Sequence, residues 1–477
     1  MTTANDAPFT LSAEFAEAIP QMAVPWHGED APDPQLVILK EDLAELLGLD
    51  PTWLRTDEGV HFLLGLNPQP LTKATAQAYS GHQFGQFVPT LGDGRALLLG
   101  EAHSTDGILR DIHLKGSGRT QFSRGADGRA ALGPVLREFL ISEAMHALGV
   151  PTTRSLAVLT TGRKIQRGQV MPGAVLVRVA TSHIRVGSFQ YSNIAGGIDL
   201  TKQLVDYSIT RHFPDLVPQL SAPSPQLYRE FFHKVLLRQA QTVAKWMRLG
   251  FVHGVLNTDN TLISGETIDY GPCAFMERYR KDATFSSIDT QSRYKFENQP
   301  IILGWNMARL VETLIPLLGD SPDEGMNAAQ QELGNFNDLC TAAITKEFAR
   351  ALGIDASHKP LIDEFQQLLF LHASDITTVF QSMITNSAPP KGFESFIQEW
   401  RSLDPDVETM KTINPIFIPR NHLVEHALAD AIDGTWDSFE ELLNAVTNPF
   451  DEDAGTPYLA RPSEDGFEEN YMTFCGT

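Results

Sequence analysis

Residues 253–260 read His253-Gly254-Val255-Leu256-Asn257-Thr258-Asp259-Asn260, and Asp269-Tyr270-Gly271 follows nine residues after Asn260. Around them the stretch 251–276, FVHGVLNTDNTLISGETIDYGPCAFM, reads as a polar loop and a short hairpin interrupting helices. The strongest helical signal precedes it: 225–250, PQLYREFFHKVLLRQAQTVAKWMRLG, an apolar-periodic run ended by Gly250. Further helices are expected after it, among them 305–318 and 336–353, with proline-bearing breaks near 389–390 and 414–419.

Working back toward the N-terminus, short apolar runs alternate with tight turns at Gly92-Asp93-Gly94 and Thr105-Asp106-Gly107. This predicts three antiparallel strands at about 86–91, 95–102 and 108–115. A glycine-spotted loop follows. A helix then starts at about Pro134, with Val135, Phe139 and Met145 alternating with Leu136, Leu140 and Leu148 and a stop at Gly149. Two more strands, 154–161 and 174–181, are expected around a turn at Gly162. The stretch 37–50, VILKEDLAELLGLD, reads as one helix. The layout is α+β: a strand-rich first part with one inserted helix, then a helical second part. The expected divisions are an extension at 1–78, a strand-rich lobe at 79–200 and a helical lobe with its tail at 201–477.

Composition narrows the function. The 477 residues are 42% hydrophobic and 20% charged, which suits folded globular units. A net charge of −22 argues against a protein whose task is gripping nucleic acid or an anionic membrane, and leaves room for a local basic pocket. Three cysteines, Cys273, Cys340 and Cys475, form neither a disulfide framework nor a zinc spacing. With no apolar run of membrane-spanning length and no secretory leader pattern, a cytosolic protein is expected.

The order of the polar motifs parallels the protein-kinase layout. A Gly-rich turn, Gly92-Asp93-Gly94-Arg95, allows backbone N–H groups to approach phosphate oxygens without a Cβ in the way. Taken alone it is an ordinary hairpin turn. Lys115 closes the third predicted strand, where a kinase keeps its phosphate-holding lysine. Glu138 on the next helix is the preferred partner for that lysine; Glu143 lies on the same helix, and spacing does not exclude it. Asn260 stands seven residues after His253, and Asp269 opens an Asp-aromatic-Gly triplet. Their amide and carboxylate oxygens are hard donors suited to Mg²⁺ on a nucleotide. The departure is Val255, which occupies the place of the kinase proton-accepting aspartate. Either the chain does not catalyse, or another base acts; Asp259 is the evident substitute. Arg178 and Arg185, read alone, are ion-paired or surface arginines. The segment KGSGRT lacks the first glycine and the lysine of a phosphate-binding P-loop.

The stretches YSGHQFG (79–85), LGDGRALLLGE (91–101), HLKGSGRT (113–120), HGVLNTDN (253–260), IDYGP (268–272) and FCGT (474–477) together resemble the SelO family, also called YdiU, over nearly the whole chain. The resemblance implies a two-lobed, protein-kinase-like fold and transfer of AMP from ATP to Ser, Thr or Tyr hydroxyls of protein substrates. For some bacterial members it implies UMP transfer from UTP with Mn²⁺. The nucleotide would sit reversed relative to a kinase, its γ-phosphate buried and its α-phosphate toward the acceptor. On this chain the resemblance implies a nucleotide site of Gly92, Gly94, Arg95, Lys115, Asp127, Gly128, Arg178 and Arg185. Asn260 and Asp269 would hold Mg²⁺ or Mn²⁺, Asp259 would take the proton, and Glu138 would partner Lys115. Cys475 corresponds to the selenocysteine of eukaryotic relatives, and a reversible Cys273–Cys475 disulfide is a further expectation. The rival readings are a kinase-type phosphotransferase and a non-catalytic nucleotide-binding scaffold.

Overall fold

The computed structural model describes residues 9–66, 73–167, 169–388 and 390–473. Its N-terminal part is built on an eight-stranded antiparallel sheet, and from Val186 onward the chain is largely helical. The sheet contains β1 (Ala23–Pro25), β2 (Gln35–Leu39) and β3 (Thr75–Gln77). Two short strands outside it, β4 (Gly81–Gln83) and β5 (Gln86–Val88), pair only with each other. The sheet continues with β6 (Ala96–His103), β7 (Leu109–Lys115), β8 (Ala130–Ala131), β9 (Arg154–Arg167) and β10 (Gln169–Ala180). The spatial order is β1-β3-β6-β7-β10-β9-β2, with β8 attached to β10.

Both faces of this sheet are covered. Leu97, Leu99, Ile112, Leu114, Val177 and Val179 join Leu43, Leu54 and Phe62 of the N-terminal helices in one apolar cluster. Leu98, Leu176 and Val158 pack instead with the Leu132–Ala147 helix and the helical body. Because side chains alternate along a strand, the second face also receives the polar residues Glu101, Asp111, His113, Lys115 and Arg178. Register aligns them: His113 lies opposite both Leu98 and Arg178, and Lys115 opposite Ala96 and Leu176. A row of buried polar groups is thereby set between the sheet and the helical part.

Three local expectations are corrected. The stretch 37–50 is not one helix: Gln35–Leu39 pairs with β9, and only Glu41–Leu46 is helical. Adjacent Val37 and Ile38 suit a pleated strand better than a helix start. The turn of the long hairpin is not at Gly162. Strand β9 runs on to Arg167, and Gly162, at φ +72°, lies beside a register shift between Pro172 and Ala174. Residues 86–91 do not form a strand beside β6. Leu91 and Gly92 donate backbone N–H groups to Tyr79 O, and Asp93 N to Gln77 O, so this segment folds back on 77–79 and β3 becomes the neighbour of β6. The Gly92-Asp93-Gly94 segment is therefore a buried loop rather than a hairpin tip. The Thr105-Asp106-Gly107 turn does join the paired strands β6 and β7.

The helix expected from Pro134 spans Leu132–Ala147, and the one before Gly250 spans Pro225–Leu249, with Gly250 in the left-handed region at φ +66°. The helical segment Val186–His212 is broken by a kink at Gly197, whose φ is +61°. Strands β11 (Phe251–Val252) and β12 (Ala274–Phe275) form the short hairpin stem around the polar loop. No helix of the described residues is long and apolar enough to cross a membrane.

Candidate active site

A cleft of about 530 Å³ opens between the polar face of the sheet and the 253–271 loop. Lys115, at the end of β7, and Arg178, on β10, reach the same two carboxylates. Lys115 Nζ lies 2.5 Å from Glu138 Oε2 and 2.6 Å from Asp269 Oδ1. Arg178 Nε donates to Glu138 Oε1 at 2.5 Å, and its Nη2 to Asp269 Oδ1 at 3.1 Å. Glu143, the other helix glutamate, pairs with Arg154 and donates nothing to the cleft. Burial opposes ionisation of Asp269, yet Lys115, Arg178 and Arg95 hold its carboxyl well below the usual range. Its backbone adopts φ +69°, a left-handed conformation that Asp tolerates better than most residues.

The Gly92–Arg95 loop is held by the segment after Lys115. Thr120 Oγ1 donates to Asp93 O at 2.6 Å and Ser123 Oγ to Gly94 O at 2.5 Å. A Cβ on Gly92, at φ +62°, would meet the Phe122 ring at 2.3 Å. Gly128, Asp127 and Arg95 line the same cleft. Asp127 pairs with Arg167 at 2.7 Å and accepts the Arg129 backbone N–H. Arg185 lies 4.1 Å from the Tyr79 ring centroid and 3.7 Å from Asp93 Oδ1, and its buried Nη1 has no hydrogen-bond partner. A buried guanidinium nitrogen left open in this way suits an anionic ligand atom.

In the polar loop, His253 is buried and its Nε2 meets Ile268 O at 2.9 Å, tying the two ends of the loop together. Val255 lines the cleft and offers no proton acceptor. Asn260 Nδ2 donates to Val255 O at 3.0 Å and approaches Asp269 Oδ2 at 3.5 Å. Here Asn260 turns its amide nitrogen toward Asp269; an Asn amide oxygen and an ionised carboxylate are the donor types that suit a hard divalent cation. Among the described residues no group of three or more His, Cys, Asp or Glu side chains is placed to hold a metal. A cation held by two protein ligands and completed by phosphate and water is the arrangement expected for Mg²⁺. Asp259 Oδ2 accepts from Gln83 Nε2 at 3.1 Å, and Oδ1 is buried without a partner. Burial, opposed by the Gln83 bond, pushes its carboxyl up to about 6.

The structure therefore brings Gly92, Gly94, Arg95 and Lys115 to the same cleft as Asp127, Gly128, Arg178 and Arg185, with Asp259, Asn260 and Asp269 on the opposite wall. It also places there residues to which the sequence reading gave no role: Tyr79, Gln83, Arg124, Arg129 and Arg167. Tyr79 and Gln83 lie in the YSGHQFG stretch, but their partners are distant in sequence. Cys273 is buried, and burial pushes its thiol up to about 12, far from a ready thiolate. Thr473 Oγ1 donates to Pro272 O at 2.9 Å, so the described tail ends beside Cys273. Cys475 lies outside the described residues.

Seven lysine and arginine side chains line the cleft against three carboxylates, in a chain of net charge −22. Three of them, Lys115, Arg178 and Arg185, are buried, and such a concentration of positive charge in an acidic chain suits a polyphosphate ligand. The chain is similar to known proteins over most of its length. The model of the family described as protein adenylyltransferase SelO matches residues 12–400. A relative from Corynebacterium glutamicum (strain ATCC 13032), named protein nucleotidyltransferase YdiU, is 72% identical over 473 residues, covering 99% of this chain and 100% of the relative. Relatives of the same name from Corynebacterium efficiens and Mycobacterium sp. (strain KMS) are 63% and 49% identical, covering 99% and 98% of this chain and 97% and 99% of their own. The chain belongs to the SelO family of protein adenylyltransferases.

Proposed function

We propose that this protein transfers AMP from ATP to Ser, Thr or Tyr hydroxyls of other proteins, in a kinase-like arrangement of a strand-rich lobe (79–200) and a helical lobe (201–477) behind an N-terminal extension (1–78). UTP with Mn²⁺ is the alternative cosubstrate of the same site, and the cytosol is the proposed compartment. The observation that carries the reading is the depth of the cations: Lys115, Arg178 and Arg185 are only 6%, 5% and 4% exposed. The most highly charged end of a triphosphate is drawn toward such groups, which leaves the α-phosphorus nearer the mouth. A kinase needs the opposite seating and an aspartate where Val255 stands.

In this reading the acceptor hydroxyl oxygen bonds to the α-phosphorus, the bond from that phosphorus to the bridging oxygen breaks, and pyrophosphate leaves. The hydroxyl proton passes to the Asp259 carboxylate. Lys115, Arg178 and Arg185 hold the β- and γ-phosphates, while Glu138 and Asp269 keep Lys115 and Arg178 in place. Asn260 and Asp269 would hold Mg²⁺ or Mn²⁺, which supplies charge neutralisation on the phosphates. Positioning and electrostatics provide most of the acceleration, because the protein has little covalent work to do.

Parallel incubations with α-labelled and γ-labelled ATP and Mg²⁺ test this directly. Incorporation of the α label, with a mass gain of one adenylate, is expected. Incorporation of the γ label would identify a phosphotransferase, and nucleotide binding with neither label a scaffold. The proposal extends to a reversible Cys273–Cys475 disulfide, supported by the Thr473–Pro272 bond. Peptide mapping without reductant after mild oxidation should find the 273–475 linked pair, and its absence would remove this part of the proposal.

A further inference from the structure

Strand β4 and the turn residue after it lie along the polar loop and are bonded to it at three successive residues. His82 N donates to Thr258 Oγ1 at 2.7 Å, Gln83 Nε2 to Asp259 Oδ2 at 3.1 Å, and Phe84 N to Asn257 Oδ1 at 3.0 Å. The contact is closed from behind: Thr258 Oγ1 donates to Gln190 Oε1 at 3.0 Å, and Gln190 Nε2 meets His82 Nδ1 at 2.9 Å. Tyr294 OH adds a second acceptor for Phe84 N at 3.1 Å. The β4–β5 hairpin is thus a separate piece outside the main sheet, docked on the three residues that lead into Asn260.

Asp259 is gripped from one side and given room on the other. Gln83 supplies a side-chain donor to one of its carboxylate oxygens. The other oxygen, Oδ1, is buried without a partner and packs against Gly81, where a Cβ would stand 2.9 Å from it. A carboxylate rotates about χ2 over a broad well, so a single fixed donor on one oxygen decides its plane.

We propose that Gln83 is a positioning residue for the acceptor step, and that Gly81 provides the space in which it seats Asp259. This rests on the reading that Asp259 takes the acceptor proton during AMP transfer. The Gln83 amide neither gains nor loses a proton. It fixes the carboxylate in the orientation from which the hydroxyl proton is accepted as the oxygen–phosphorus bond forms and pyrophosphate departs. Gln83 lines the cleft, and the side-chain hydrogen bond described for it is to Asp259, so its removal is expected to act on turnover more than on nucleotide affinity.

The experiment measures transfer from α-labelled ATP with Mg²⁺ to casein as added acceptor, for wild type, Gln83→Leu, Gly81→Ala, Asp259→Asn and the Gln83→Leu/Asp259→Asn double variant. Gln83→Leu is expected to lower kcat about tenfold, a part of what general-base catalysis contributes, with the KM for ATP within about twofold. In the Asp259→Asn background the same change should cost less than about twofold, because the group being positioned is already lost. Gly81→Ala, whose Cβ would meet Leu91 Cδ1 at 2.7 Å and Asp259 Oδ1 at 2.9 Å, should also lower kcat with the KM kept. Gln83 sits in a half-buried hairpin, and nucleotide-induced stabilisation of each variant checks that its cleft is folded. Wild-type kcat in Gln83→Leu, a raised KM with kcat kept, or an equal loss in the Asp259→Asn background overturns the role of Gln83 alone. A wild-type protein that takes up no α label overturns both the transfer reading and this inference.

Discussion

Replacing Glu138 by Gln removes the carboxylate shared by Lys115 and Arg178. In the native site two cations face two carboxylates, with Glu138 1% exposed and at 2.5 Å from each cation. After the substitution both cations depend on Asp269. Breaking a buried pair by removing one partner costs about 3–5 kcal/mol. The Gln carbonyl keeps one acceptor, so the lower end, about 3 kcal/mol, is expected. For a chain of this size that corresponds to a fall in Tm of roughly 3 °C if it unfolds as one unit. Nucleotide changes the balance, because phosphate oxygens replace the missing negative charge. Saturating ATP and Mg²⁺ at about a hundred times Kd stabilises a protein by about 2.7 kcal/mol, and the rise in Tm should be larger in the variant than in wild type. Transfer of α label should fall by about ten- to a hundredfold, since Lys115 loses the partner that aims it. Thermal melts with and without nucleotide provide the assay. A variant that melts with wild type, or whose deficit is unchanged by saturating nucleotide, would refute the shared-carboxylate argument.

Two other perturbations follow from the same structure. Gly92→Ala would place a Cβ 2.3 Å from the Phe122 ring at a φ of +62°, so a loss of about 1–3 kcal/mol in denaturant midpoint and a raised KM for ATP are expected. An unchanged melt and KM would show that the loop yields freely. The pH dependence is set by buried rings: burial, first, pushes the pKa of His183 and His212 down to about 3. Below pH 6.5 the unfolded chain binds protons that these rings refuse, so stability falls with pH through the window from about 6.5 to 3. Each ring costs about 2 kcal/mol on going from pH 6.5 to 5 at 1.36 kcal/mol per unit. Glu101 has the opposite sign: burial and the neighbouring Asp111 raise it to about 7. Its folded state binds the extra proton between about 7 and 4.5, which returns about 2 kcal/mol over the same step. Buried His113 and His253 are pushed down as well, and buried Asp259 and Glu266 up; a net loss at pH 5 is expected from urea midpoints, and equal or greater stability at pH 5 than at 6.5 would contradict neutral burial of the rings.

How much of the site was legible can be followed residue by residue. His253, Asn260 and Asp269 lie within one short loop, and their spacing alone brings them together once its ends are tied by β11 and β12. Lys115 was placed by its strand, because RDIHLK alternates polar and apolar residues and a period of two puts Asp111, His113 and Lys115 on one face. The sequence offered two glutamates on one helix for Lys115. The register and the helix packing sent Glu138 to the cleft and Glu143 to Arg154. The 86–91 segment was misread for a related reason: its local pattern suits a strand, but the backbone bonds of 91–93 to 77–79 withdraw it from the sheet.

By itself the sequence determined the order of the motifs, the division into strand-rich and helical parts, and the place of Val255 where a proton acceptor would stand. These are properties of neighbours along the chain, governed by side-chain periodicity, turn chemistry and fixed spacing. Only the tertiary structure decided that Gln83 holds Asp259, that Tyr79 stacks on Arg185, and that two buried carboxylates divide Lys115 and Arg178 between them. Those contacts join residues from 23 positions apart, for Lys115 and Glu138, to 176 apart, for Gln83 and Asp259. Which distant groups meet is settled by strand register and by the burial of both faces of the sheet, and neither is written in any local stretch of residues.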